Sequence, residues 1–144
     1  MTIKKASAIW KGSIKEGGGT ISTETGVLRD APYGFKSRFE NGKGTNPEEL
    51  IGAAHAGCFS MALSAGLGKA GFTPTRIHTT AKVHLEKVGE GFKITRVQLT
   101  TEAAIPDIDE ATFRQQADGA KQGCPVSQAL AGTQIELDAK LVNA

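Results

Sequence analysis

The segment from Leu50 to Gly68 carries no charged residue, and it limits the fold more than any other feature of the chain. A helix of this length can cross a membrane, but the flanks have the pattern of strands and no second such segment exists. Four glycines and several polar side chains dilute its apolar character; the polar ones are His55, Cys58, Ser60 and Ser64. We therefore predict a buried helix and no membrane span.

The residues before this segment have the pattern of a helix start. Asn46 suits the N-cap and Pro47 the first helical position. Glu48 and Glu49 place two acids in the first turn, where the helix dipole favours them. The helix should extend to about Gly71. Because it is apolar on every side, we expect it to be enclosed by protein on several sides.

Most of the remaining chain has the pattern of strands. Short strands are predicted near residues 5–12 and 20–23, and alternating aromatic and polar positions over 33–39 indicate a half-buried strand or an extended loop. Longer alternating strands over 77–85 and 97–103 follow, with a turn between them near Gly89-Glu90-Gly91. The period breaks just before Val97, where we expect a β-bulge.

The C-terminal part predicts two helices and a last strand. Asp109 should cap a helix that extends to about Lys121, a shorter helix should start at residues 123–125, and a strand should follow over 133–141. This order of elements is typical of the α+β class. With no linker or internal repeat, residues 1–144 are expected to form a single domain.

Composition excludes several classes of protein. The hydrophobic share of 39% is enough for a core, and the net charge of +2 is spread along the chain in both signs. No basic cluster exceeds the pair Lys4-Lys5, which argues against nucleic-acid binding. The first five residues carry no apolar stretch of the signal-peptide type, so a cytoplasmic protein is expected.

Two cysteines in a cytosolic chain suggest redox chemistry, because disulfides there are usually transient, catalytic or redox-sensing. Cys58 and Cys124 are too far apart for a CxxC motif, and no zinc quartet is available. Cys58 lies deep in the predicted helix, where an isolated cysteine often only fills space. Cys124 precedes Pro125 at a predicted N-cap that lowers a thiol pKa, with Gly123 expected to leave the sulfur accessible; alternatively, it is only a small capping residue.

A reactive Cys58 needs a nearby cation, since burial opposes its ionisation and the middle of a helix offers little help. Arg38 is a candidate for that cation, and Glu48 is placed to hold the guanidinium fork. The alternative is that Arg38 and Glu48 form an ordinary surface pair. His55 is either a base or a core histidine, and no third ligand is spaced for a metal site with it.

Three stretches together resemble the OsmC/Ohr family, and most closely its osmotically inducible OsmC branch. They are residues 44–63 (GTNPEELIGAAHAGCFSMAL), 120–127 (AKQGCPVS) and 32–39 (PYGFKSRF). The resemblance extends over essentially the whole chain. Two cysteine motifs in the right order and surroundings make it a highly specific one.

The resemblance implies an intertwined homodimer of α+β subunits, with β-sheets packed around long central helices. It implies a peroxidase that reduces organic hydroperoxides, and hydrogen peroxide less well, without metal or flavin. Cys58 would be the peroxidatic cysteine, Cys124 the resolving one, and Arg38 with Glu48 the activating ion pair, with Arg29 as the other candidate arginine. The reductant would be an external dithiol of the lipoyl type.

Three other functions are compatible with the same residues. The chain could be a redox sensor that binds a partner once the disulfide forms. It could be a small-ligand or lipid-binding module in which the cysteines are incidental. It could also be a general thiol-disulfide oxidoreductase, although the absence of CxxC argues against that function.

Overall fold

The computed structural model describes residues 1–143. Its elements in chain order are β1 (Ala6–Lys11), β2 (Gly18–Thr23), β3 (Ala31–Tyr33), α1 (Phe35–Phe39), α2 (Pro47–Lys69), β4 (Arg76–Val88), β5 (Gly91–Ala104), α3 (Glu110–Gly123), α4 (Pro125–Ala129) and β6 (Gln134–Val142). The α+β class is confirmed, with one short helix more than the sequence predicted. The chain divides into two compact units, Met1–Leu50 and the described residues from Ile51 onward.

The first unit is built on an antiparallel sheet in the order β1-β2-β3. Both strands predicted near the start of the chain are present as β1 and β2. Thr45 forms an isolated bridge with Tyr33, at the end of β3, and its amide donates to the Pro32 carbonyl at 2.9 Å. These contacts attach the segment before α2 to the edge of the sheet.

The prediction of a strand or extended loop over 33–39 is wrong, because residues 35–39 form the helix α1. The Ser37 hydroxyl accepts from the Gly34 amide at 2.9 Å and donates to the Gly34 carbonyl at 3.0 Å, which stabilises the first turn. Phe35 and Phe39 are four residues apart, so one helix face brings their ring centroids to 5.1 Å. The same aromatic spacing fits both a strand and a helix, and the local cap decides in favour of the helix.

Helix α2 starts where the sequence predicts and ends at Lys69. Asn46 is its cap, since its side-chain oxygen accepts from the Glu49 amide at 2.7 Å. One face of the helix is buried, at Glu48, Gly52, His55, Phe59, Leu63 and Leu67. The opposite face is exposed, at Ala53, Ala54, Gly57, Met61, Ala65 and Gly68. The expectation of a helix enclosed on several sides is therefore not met within one chain.

By length and composition alone, α2 is apolar enough to cross a membrane, a test that core helices of soluble proteins also pass. Its buried face packs into the core of the second unit, where Phe59, Leu63 and Leu67 have no exposed surface. Strands and helices share that core, whose other members are Val97, Leu99, Ala103, Ile105, Phe113, Ala117, Ala120 and Ala139.

The second unit contains a sheet in the order β4-β5-β6, with β4 antiparallel and β6 parallel to β5. The predicted turn between the long strands is confirmed at residues 89–90. The predicted bulge is confirmed as well, because the register shifts between His84, opposite Arg96, and Leu85, opposite Ile94. Thr95 is the extra residue in β5.

The C-terminal helices also follow the sequence prediction. Asp109 caps α3 by accepting from the Thr112 amide at 3.0 Å. The hydrogen bond from the Thr112 hydroxyl, and then that from the amide, lower the pKa of the Asp109 carboxyl. Cys124 ends α3 and caps α4, so its side chain lies at the junction of the two helices.

Candidate active site

Arg38 and Glu48 form a bidentate ion pair within the first unit. Arg38 Nε lies 3.1 Å from Glu48 Oε1, and Nη2 lies 3.2 Å from Oε2. The Glu48 side chain is 9% exposed and that of Arg38 is 39% exposed. A planar fork that matches a carboxylate in this way has one preferred orientation.

Local sequence fixes the positions of both partners. Arg38 lies in α1, whose first turn is held by the Ser37 cap, and Glu48 lies in the first turn of α2. Asn46 joins the two helices, because its side-chain amide donates to the Ser37 carbonyl at 3.0 Å while its oxygen caps α2. The ion pair is therefore supported by hydrogen bonds on both sides.

An apolar cavity of about 220 Å³ adjoins Arg38. Its lining residues are Trp10, Ile14, Tyr33, Gly34, Phe35, Arg38 and Phe39. The Trp10 and Tyr33 rings meet edge to face with their centroids 5.5 Å apart, and the guanidinium lies 5.4 Å from the Phe39 ring centroid. The cavity thus places a cation at the wall of an aromatic site.

Arg29, the other arginine considered, lies in a different part of the first unit. Its side chain is exposed and lies beside Gly26, in the turn before β3. No ion pair within residues 1–143 includes it.

Cys58 and Cys124 meet within the second unit. Both are free thiols, Cys58 partly exposed and Cys124 fully buried. The expectation that Gly123 leaves the Cys124 sulfur accessible is therefore wrong, because the core closes over the junction of α3 and α4. Each of the two thiols acts on the pKa of the other.

The two thiols differ in how readily they ionise. Burial raises the pKa of Cys58. A hydrogen bond from the Val126 amide lowers this pKa, whereas the Cys124 side chain and its negative charge raise it. Burial also acts to raise the pKa of Cys124, but hydrogen bonds from the Ser127 hydroxyl and amide, together with the neighbouring Cys58 thiol, make the net change a lowering. Within the pair, the negative charge is therefore favoured on Cys124. Burial therefore opposes the ionisation of Cys58, as its position in the helix predicts.

Sequence reasoning missed Ser127. Its hydroxyl and its amide both lie 3.4 Å from Cys124 Sγ, and its Oγ lies 2.8 Å from His55 Nε2. The available signal was the spacing Cys-Pro-Val-Ser, which puts a serine at the third helical position after the cap. Of the two interpretations of His55, the structure supports a core histidine, because the ring is fully buried and hydrogen-bonded to Ser127.

The four predicted site residues are divided between the two units. Arg38 and Glu48 belong to the first unit, and Cys58 and Cys124 to the second. No group of three His, Cys, Asp or Glu side chains in the described part of the chain could hold a metal ion.

Known proteins are similar to this chain, some of them over nearly its whole length. Peroxiredoxin OsmC of Escherichia coli (strain K12) is 62% identical over 142 residues, which cover 98% of this chain and 99% of the relative. The organic hydroperoxide resistance protein of Xanthomonas axonopodis pv. citri (strain 306) is 35% identical over 92 residues, 63% of each chain. Among solved structures, the organic hydroperoxide resistance protein OhrB of Bacillus subtilis matches at a TM-score of 0.71 and 26% identity, covering 96% of this chain and 98% of that one.

The sequence model of the family described as OsmC-like protein matches residues 40–139. The match includes Glu48 and both cysteines, whereas Arg38 lies just before it. The resemblance found in the motifs is thereby confirmed, and this chain belongs to the OsmC-like protein family.

Proposed function

We propose that this protein is a thiol-dependent peroxidase that reduces organic hydroperoxides to alcohols, and hydrogen peroxide less well. The observation that carries the proposal is the interacting pair of free thiols, Cys58 and Cys124. We expect these two thiols to form an intramolecular disulfide. Membership in a family whose relatives are named peroxiredoxin and organic hydroperoxide resistance protein supports the reaction class.

In the proposed cycle, the Cys58 thiolate attacks the terminal oxygen of the hydroperoxide. The O–O bond breaks, the alkoxide leaves and takes up a proton to become the alcohol, and Cys58 is oxidised to a sulfenic acid. Cys124 then bonds to the Cys58 sulfur, whose hydroxyl leaves as water, and the disulfide prevents further oxidation. An external dithiol, which we propose to be of the lipoyl type, reduces the disulfide by exchange. This cycle requires no metal or flavin.

Ionisation of Cys58 is the step that the cysteine pair alone does not favour, because burial and Cys124 both raise its pKa. We propose that Arg38 supplies the cation and that Glu48 orients it. The bidentate geometry supports this role, since a guanidinium held at Nε and Nη2 cannot turn away from its carboxylate. The neighbouring Cys124 then remains the resolving partner.

The aromatic cavity beside Arg38 supports an organic substrate. Its walls are mostly Trp, Tyr and Phe side chains, which gain free energy when they cover an alkyl or aryl group. Hydrogen peroxide has no such group to bury. The same cavity therefore accounts for the expected preference for organic hydroperoxides.

We also propose a homodimer in which the exposed face of α2 is covered by a second subunit. That face carries mostly Gly and Ala, with Met61 76% exposed at its centre. Small residues allow a second helix to approach closely, and an uncovered apolar face of this kind is typical of an interface. The expected arrangement is intertwined, with the sheets around paired central helices.

Two further expectations belong to the same proposal. Residues 1–144 act as one functional domain, in keeping with a similarity to peroxiredoxin OsmC that covers 98% of this chain. The protein works in the cytoplasm, where free cysteines stay reduced between turnovers. Nucleic acid and membrane are not among its proposed partners, in keeping with a net charge of +2 spread in both signs.

Steady-state assays test the proposal. Purified protein is mixed with tert-butyl hydroperoxide, cumene hydroperoxide or hydrogen peroxide, with dihydrolipoamide as electron donor. We expect many turnovers with both organic hydroperoxides and slower consumption of hydrogen peroxide. A reaction that stops after one equivalent of peroxide, whichever dithiol is supplied, would contradict the peroxidase and favour the redox sensor.

A further inference from the structure

The cysteine pair is joined to a second pair of buried polar side chains, Ser127 and His55. Ser127 is 5% exposed and His55 is not exposed at all. Ser127 Oγ lies 3.4 Å from Cys124 Sγ and 2.8 Å from His55 Nε2. A continuous chain of contacts therefore extends from His55 through Ser127 and Cys124 to Cys58.

The directions of these hydrogen bonds follow from counting protons. The Ser127 hydroxyl has one proton, and it donates that proton to Cys124 Sγ. Toward His55 it then presents only lone pairs, so Nε2 must carry the imidazole proton and donate. Burial lowers the pKa of His55, which keeps the ring neutral and leaves Nδ1 without a proton.

The surroundings of His55 agree with this tautomer. Nδ1 is buried and has no hydrogen-bond partner among the described residues. With the proton on Nε2, the unprotonated Nδ1 is one unsatisfied acceptor. With the proton on Nδ1, the protein would bury an unpaired N–H, and the ring would offer no donor to Ser127. The ring thus orients the Ser127 hydroxyl toward sulfur.

We propose that Ser127, oriented by His55, is a positioning residue for the resolving step: its hydroxyl and amide hold the Cys124 sulfur as the thiolate that closes the disulfide. The inference rests on the proposed function, in which Cys124 attacks the sulfenic acid of Cys58. In that step the bond between the two sulfurs forms and the Cys58 S–O bond breaks. Hydroxide leaves and takes up a proton, the Cys124 sulfur is oxidised and the Cys58 sulfur is reduced, so no other oxidant is needed.

The groups that act on the Cys124 thiol come from the helices α2 and α4. From α2 come the titratable side chains Cys58 and His55, the latter through Ser127. From α4 come uncharged donors, the Ser127 hydroxyl and the amides of Val126 and Ser127. The last turn of α3 carries one charged residue, Lys121. Among the uncharged contacts, Ser127 gives two of the hydrogen bonds to sulfur, so we expect its hydroxyl to control how much Cys124 is ionised at neutral pH.

Rapid-quench single turnover with cumene hydroperoxide separates oxidation of Cys58 from disulfide formation, with intact mass as the readout. For Ser127→Ala, we expect disulfide formation at pH 7 to slow by roughly tenfold, the effect of about one unit in a pKa. The deficit should shrink as pH rises and Cys124 ionises without help. Ser127→Thr, which keeps the hydroxyl, should restore most of the rate.

The histidine is tested by a matched pair of variants. His55→Gln keeps a donor near the position of Nε2 and should slow disulfide formation less than His55→Leu, which has none. Ser60→Ala is the control, because it removes a comparable α2 hydroxyl, 2.7 Å from Thr79 Oγ1, that belongs to a separate contact. Its pH profile for disulfide formation should match that of the wild type.

If Ser127→Ala slowed disulfide formation equally at every pH, the proposal would be overturned, because the variant would then have lost only packing. An unchanged rate of disulfide formation in Ser127→Ala would overturn it as well. A second measurement needs no peroxide: thiolate absorbance of Cys124 against pH in the Cys58→Ser background. There Ser127→Ala should raise the pKa of Cys124, and no change would overturn the role of Ser127. Failure of the peroxidase itself would appear differently, as an absence of turnover in the wild type.

Discussion

Arg38 donates to both oxygens of Glu48, from Nε at 3.1 Å and from Nη2 at 3.2 Å. The carboxylate is the more deeply buried partner, at 9% exposure against 39% for the arginine side chain. Glu48 is thus the fixed end of the pair, and the guanidinium takes its orientation from it. If Arg38 is the cation that ionises Cys58, the two residues should have related but unequal effects on catalysis.

Removing the cation should slow the first chemical step. A single nearby positive charge lowers a pKa by about 1 to 3 units, so Arg38→Ala should raise the Cys58 pKa by a similar amount and slow its oxidation at neutral pH. Arg38→Lys should recover only part of the rate, because it loses the planar fork. The pH dependence of Cys58 alkylation, with stopped-flow oxidation rates, measures both effects.

Arg29→Ala is the matched control for this prediction. Arg29 is exposed and lies in the turn beside Gly26, so its removal should leave the alkylation profile unchanged. If Arg38→Ala has no effect and Arg29→Ala raises the Cys58 pKa, the activating arginine has been misassigned.

Removing the carboxylate should have a smaller effect than removing the arginine. In Glu48→Ala the cation remains but loses its fixed orientation, so oxidation of Cys58 should slow less than in Arg38→Ala. The control is Glu49→Ala, an adjacent acid whose carboxylate accepts from the Thr45 hydroxyl at 2.8 Å instead. Equal oxidation rates in the two glutamate variants would contradict an orienting role for Glu48.

The buried histidine should make the protein less stable in mild acid. Burial lowers the pKa of His55 below its ordinary 6.5, so below about pH 6.5 the unfolded chain binds a proton that the folded protein does not. The free energy of unfolding should therefore fall as pH falls, by at most about 1.4 kcal/mol per pH unit for one proton. Urea unfolding at several pH values between 7 and 5 measures this dependence. The free energy of unfolding should change less with pH in His55→Gln than in the wild type. An equal pH dependence of the free energy of unfolding in the two proteins would show that His55 does not contribute to it.

The exposed face of α2 should be covered in solution. We expect light scattering to give about twice the chain mass of 15.1 kDa. Met61→Glu should favour the monomer by burying a charge in the interface, whereas Val27→Glu, at an exposed residue outside α2, should not. A wild-type mass equal to one chain at micromolar concentration would refute the proposed dimer.

Local signals in the sequence predicted elements of both units. The Asn46 cap, the Asp109 cap, the turn near Gly89 and the bulge at Thr95 each depend on residues close in sequence, and each is present in the structure. Helix α1 was missed because alternate aromatics fit two periods, and only the Ser37 cap distinguishes them.

Features that depend on distant residues could not be predicted in the same way. Ser127 forms a hydrogen bond with His55, which lies far away in the sequence, and no local sequence pattern around either residue predicts that bond. The burial of Cys124 likewise depends on how α3 and α4 pack into the core, although its capping position was evident from the following proline. The identities of the cysteines were therefore predictable, but not the network that sets their charges.

The central claim is that Cys58 attacks the peroxide. This claim needs a direct test, because the cysteine pair by itself favours the thiolate on Cys124. The direct test is peptide mass spectrometry of Cys124→Ser and Cys58→Ser after one equivalent of cumene hydroperoxide. We predict a sulfenic acid on Cys58 in the first variant, converted to sulfinic acid by excess peroxide, and no rapid oxidation in the second. Rapid oxidation of Cys124 in Cys58→Ser, with Cys58 left reduced in Cys124→Ser, would contradict the account.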